Sequence, residues 1–170
     1  MTLINGLPAH VLLVHVVVVL IPLTALALVA AAMWPRAARR LGAMLPLLAF
    51  VALASVPLTT HAGEWLERHV ADDALVRRHT ELGDGLLPWA LGLFVLAAVV
   101  WWAARRGEAE SGRGGGLRWS ALPVRIVVGV LCVAVAAGAV ADVYRIGDSG
   151  AKAAWHDAYS KSATRGGDGS

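Results

Sequence analysis

Four apolar runs, each about as long as a bilayer is thick, constrain this chain more than any other feature. They cover about residues 11–33, 41–60, 85–104 and 122–143. A helix needs about 20 predominantly apolar residues to cross the hydrocarbon core. None of the runs carries the polar stripe of a helix lying on a soluble core. In lipid each backbone amide must find its partner within its own helix or in a closed barrel, so runs of this length predict spanning helices. The fold class expected is therefore all-α, an integral membrane four-helix bundle. Hydrophobic residues at 58% and charged residues at 16% agree, against about 45–50% and about 25% in soluble domains.

The chain has 170 residues, enough for one domain. A four-span membrane domain is expected over residues 1–158, followed by a small, polar tail over 159–170 with the composition of a disordered segment. The first run has no positive segment before it and is long for a signal-peptide core, so retention as a span is expected. Asp72 or Asp73 can cap a helix that runs through His79 into the third span.

The loops set an expected orientation. Arg36, Arg39 and Arg40 follow the first run, and Arg105, Arg106, Arg113 and Arg118 follow the third. Arginine density near span ends marks the cytoplasmic side. Both termini and the more acidic middle loop are then extracytoplasmic, and a multi-pass place in the plasma membrane follows, with the lipid bilayer as the first partner. Trp34, Trp101, Trp102 and Trp119 fall at the inner boundary and Trp65 and Trp155 near the outer one, the headgroup depth that indoles prefer. Trp89 stands apart, inside the third run.

All six histidines map to the outer side. His10 and His15 open the first span, His61 ends the second, His69 and His79 precede the third, and His156 follows the fourth. Imidazoles from different helices of a bundle are a recurrent way to hold a haem or a metal. His15 is an ionisable group at membrane depth, where polar groups usually face the bundle interior. With Val11, Leu12, Val18 and Val19 beside it, it is expected to point inward. His79 begins a stripe of Leu82, Gly83, Leu86 and Ala90, in which Gly83 permits close approach of a helix or a flat ligand. His61 has Glu64 one turn on, a carboxylate able to hold an imidazole N–H, and the two form a candidate metal pair. If the spans begin level, His15 and His79 differ by about 15 Å in depth, which tilt or a shifted boundary would have to absorb. Asp142 and Arg145 have the spacing of an ion pair within the fourth helix.

Other classes lose ground. The single cysteine, Cys132, lies in an apolar run and reads as a small buried hydrophobe. No basic face interleaved with aromatics points to nucleic acid. No nucleophile–base pair, phosphate loop or paired carboxylates point to a hydrolase or kinase, so a stand-alone enzyme is not expected.

GLPAHVLLVHVVVVLIPL resembles the opening of the four-helix bacterial membrane family catalogued as domain of unknown function 2231. THAGEWLE resembles that family's Gly-Glu segment after the second helix, RRHTELGDGLLPW the His-x-x-Leu-Gly start of its third, and VYRIGDSGAKAAW its closing segment. The order and spacing of the motifs span most of residues 5–157. The resemblance implies His10, His15 and His79 as the family's histidines and carries over no activity. Some relatives are fused to Rieske iron–sulfur or cytochrome c modules, which implies a redox neighbourhood.

The function expected is an electron-transfer component that binds haem b near the outer face through His15 and His79, with His10 as substitute ligand. Copper or zinc is the second choice of cofactor. Its partner would be a membrane redox complex or a soluble electron carrier. The alternative is a non-catalytic scaffold or regulatory subunit that binds a membrane partner through small faces such as Ala27 with Ala31 or Gly129 with Gly138. A proton or ion pathway through Asp142 is a third class, thinly supported by the scarcity of acids in the spans.

Overall fold

A computed structural model describes the backbone of residues 3–4, 7–67, 74–111 and 122–165, with side chains over 13–61, 83, 85–107 and 122–152. At the N-terminus β1 (Leu3–Ile4) lies antiparallel to β2 (Leu7–Pro8), with Leu3 opposite Pro8 and Ile4 opposite Leu7. Among the described residues five helices follow: α1 (Ala9–Met33), α2 (Pro35–Leu41), α3 (Met44–Glu67), α4 (Ala74–Ser111) and α5 (Leu122–Arg165). Four of them are long and apolar enough to cross a membrane, over Leu13–Met33, Met44–His61, Gly85–Gly107 and Leu122–Lys152. The chain is thus a helical membrane bundle, as its apolar runs require.

The spanning helices form a ring in which α1 and α4 each pack against both α3 and α5. Across the ring, α1 and α4 are the nearer diagonal pair. Buried positions recur at steps of four and three: Leu86, Ala90, Leu93, Ala97 and Val100 on α4, and Cys132, Ala136, Ala139 and Val143 on α5. That spacing keeps one seam facing its neighbours along a whole span. Many seam residues are alanines, among them Ala25, Ala49, Ala52, Ala90, Ala97 and Ala139. Lipid is as apolar as leucine, so close packing of small side chains, rather than hydrophobicity, selects the inner face of each helix. Many larger apolar residues, including Val19, Leu26, Phe50 and Val130, are exposed toward lipid, while Ile21, Leu28, Leu45 and Leu93 are buried among the alanines.

The short α2 does not follow from the hydropathy pattern. Trp34 is extended, Pro35 starts the helix, and Gly42 closes it at a φ of 49° while donating its N–H to the Ala38 carbonyl at 3.0 Å. Proline suits a first helical turn, and the left-handed φ suits glycine. The result folds Arg36, Arg39 and Arg40 against the end of the bundle with Ala38 buried beneath them.

Two other boundaries bear on the expectations. Helix α4 starts at Ala74, directly after the aspartates expected to cap it, which themselves lie outside the described residues. Helix α5 continues to Arg165, so residues 159–165 of the expected tail are helical, and residues 166–170 lie outside the described residues.

Candidate functional site

The histidine end is built from the start of α1, the end of α3, the first part of α4 and the later part of α5. His15 is exposed, as are Val18 and Val19 on the same face. This corrects the inward orientation expected for it. The buried stripe of α1 is Val17, Ile21, Thr24, Ala25, Leu28 and Ala31. A helix apolar on all sides holds no record of its own rotation, and the small residues Thr24, Ala25 and Ala31 decided it. His61 is also exposed. The side chains of His10, His79, Glu64 and His156 lie outside the described residues, as does His69 entirely. Among the described residues no group of three or more His, Cys, Asp or Glu side chains could hold a metal ion.

The helical register nevertheless relates position 10 to position 79. Val17, Ile21, Thr24 and Leu28 lie 7, 11, 14 and 18 residues after His10, and all are buried. Leu86, Ala90, Leu93 and Ala97 lie at the same four offsets after His79, and all are buried. Those offsets return to one face of a helix with 3.6 residues per turn. Positions 10 and 79 therefore continue the inner stripes of α1 and α4. The gap of about 15 Å expected between His15 and His79 shrinks to about half for His10, which lies about one and a half turns nearer the start of α1.

One acid sits within this end. An ideal Cβ on Gly85 would lie 3.7 Å from Oδ2 of Asp142, so the carboxylate rests where α5 meets α4. That oxygen is buried without a hydrogen-bond partner among the described residues. Among the described residues Asp142 and Arg145 make no contact-distance ion pair, though the Arg145 charge still acts on the carboxylate: Asp142 is turned toward Gly85 and Arg145 is exposed. The pair formed in this part of α5 is Lys152 with Asp148, at 2.7 Å. Close by, Thr60 approaches Gly83, with 3.8 Å from its Cγ2 to an ideal Cβ there. That is an ordinary van der Waals distance, so this contact would tolerate a Cβ at position 83. The hydroxyls of Ser55, Thr59 and Thr60 donate to carbonyls of their own helix at 2.7, 2.7 and 3.1 Å, which steadies the backbone around Pro57.

Deeper in the bundle, the Trp89 ring lies directly on Gly138 of α5, and a Cβ there would overlap Cζ3, Cη2 and Cε3 of the indole. This explains the one tryptophan that fell inside a span. Gly138 and Ala31, expected at faces for an outside partner, are used within the bundle, whereas Gly129 has open space beyond it.

Fold and surface together define a multi-pass helical membrane protein in contact with lipid. A family model described as "Predicted membrane protein (DUF2231)" matches residues 6–163. The chain belongs to that family, a domain of unknown function, as its motifs indicated. No curated protein and no solved structure matches it.

Proposed function

We propose that the protein is an electron-transfer component of the plasma membrane that holds haem b between α1 and α4 through His10 and His79. What supports this reading is the shared register, by which both positions fall in line with the buried stripes of their helices. A haem iron takes axial ligands from one or two side chains, so two imidazoles suffice. Haem bound there supplies one-electron transfer, and the protein's part is to fix the ligands and exclude water around them. Copper or zinc asks for three or four donors and would need His61 and Glu64 as well, a less economical arrangement. His15, exposed beside Val18 and Val19, is left out of the ligand set. With the arginine loops cytoplasmic, the haem lies near the outer face, open to a membrane redox complex or a soluble carrier.

The test is the visible spectrum of the purified protein before and after titration with hemin. The wild type and His15→Ala are expected to show a Soret band. His10→Ala and His79→Ala are expected to lose or shift it. A protein that stays colourless with hemin, or variants at positions 10 and 79 that keep the wild-type band, would overturn the assignment. The scaffold reading rests on Gly129, whose open side leaves room for another helix. A colourless protein that co-purifies with a membrane partner, and loses it in Gly129→Leu, would favour that reading.

A further inference from the structure

The opposite end of the bundle carries a cleft of about 350 Å³ between α1, α2, α4 and α5. Its walls are small and apolar, including Ala31, Val100, Ala103 and Val128, and two cations reach it, Arg39 from α2 and Arg125 from α5. Among the described residues no acidic one lines it. Among the described residues neither arginine makes an ion pair or a side-chain hydrogen bond. Their neighbours are differently engaged: the Arg105 guanidinium lies 5.4 Å from the Trp101 ring centre and that of Arg106 3.8 Å from the Trp102 ring centre.

Three features agree on what this cleft accepts. Its cations call for an anion. Its alanine and valine walls call for something apolar behind that anion. Trp34 and Trp102, both exposed at this end, set its depth at the headgroup layer, where indoles settle. An anionic phospholipid has all three properties, and basic pockets between membrane helices are a recognised form of headgroup site.

We propose that this cleft binds one anionic phospholipid, its phosphate between Arg39 and Arg125 and an acyl chain along the wall formed by Val100 and Val128. The site lies at the far end of the bundle from the histidines and does not depend on any cofactor there.

The test uses the full chain in vesicles of equimolar phosphatidylglycerol and phosphatidylcholine, followed by native mass spectrometry of the lipids retained after extraction. The wild type is expected to retain phosphatidylglycerol in preference to phosphatidylcholine. Arg39→Gln and Arg125→Gln are each expected to lower that preference about fivefold, the equivalent of about 1 kcal/mol per basic residue near an anionic headgroup. Arg36→Gln, on α2 but outside the cleft, should leave it unchanged. Ala103→Leu fills the cleft without changing charge and should abolish retention, which keeps the proposal open to refutation if either arginine variant fails to fold. Equal retention of both lipids would overturn it. So would an Arg36→Gln loss as large as the others, unaltered retention in Ala103→Leu, or displacement by inorganic phosphate, which would make this a site for a free anion.

Discussion

At the arginine end, charge is placed at the bundle's rim. Arg105 and Arg106 lie over indoles, α2 holds three more arginines against the boundary, and Arg39 and Arg125 flank an apolar cleft. At the histidine end, by contrast, a polar atom lies within the helix packing: Oδ2 of Asp142 is buried beside Gly85 without a hydrogen bond among the described residues. The difference is one of side-chain length and depth. Arginine can leave its apolar stem in lipid and carry its charge to the headgroups, whereas aspartate stays where its Cα is. A polar group kept within the bundle is costly unless something engages it. The histidine end is therefore the one whose packing leaves an unmet demand, and the arginine end the one whose surface is ready for lipid.

Three substitutions break or sharpen this contrast. The largest effect is expected at Gly138, where the histidine half of the bundle is closed by Trp89. Gly138→Ala should destabilise the protein by about 1–3 kcal/mol, the usual cost of overpacking, as read from unfolding in mixed micelles with sodium dodecyl sulfate. Trp89→Leu should restore most of that loss in the double variant, and a double variant no more stable than Gly138→Ala would show that the indole is not the obstacle. Next is Asp142→Asn. Removing charge from an unpartnered oxygen should stabilise the fold by about 1 kcal/mol in the same assay. A loss of stability instead would mean that the carboxylate is engaged, by the Arg145 charge or by a ligand or imidazole at this end, and Arg145→Gln separates the two. The smallest change is expected at the rim: Arg106→Gln should cost about 0.5–1 kcal/mol, the value of an exposed cation–π contact, with a change in tryptophan fluorescence. Arg105→Gln should cost less, its guanidinium being farther from its ring. A cost at Arg106 above that of Gly138→Ala would reverse the contrast between the two ends.

Much of the fold was legible because lipid simplifies the problem. The four spans follow from hydropathy. The two short strands and α2 do not, since they depend on local turns at Trp34, Pro35 and Gly42. The extension of α5 to Arg165 runs against a composition of small polar residues. The candidate site was legible in part. Sequence placed the histidines at one end and included His10 and His79, yet gave His15 the leading role. Nothing in VLLVHVVVVL distinguishes one face of α1 from another, so what the structure corrects is the rotation expected at His15. The Asp142–Gly85 approach, the Trp89–Gly138 contact and the cleft that Arg39 and Arg125 both line join residues far apart in the chain and have no local signature.

By itself the sequence determined how many times the chain crosses the membrane, which loops share a side, and that the histidines fall at the end away from the two arginine-rich loops. Those properties depend on length, hydropathy and charge, which are read along one dimension. Tertiary structure alone decided which face of each helix turns inward and which distant residues meet. In a solvent as apolar as the helices themselves, rotation is chosen by the fit of small side chains against neighbouring helices, and that fit exists only once the helices are together.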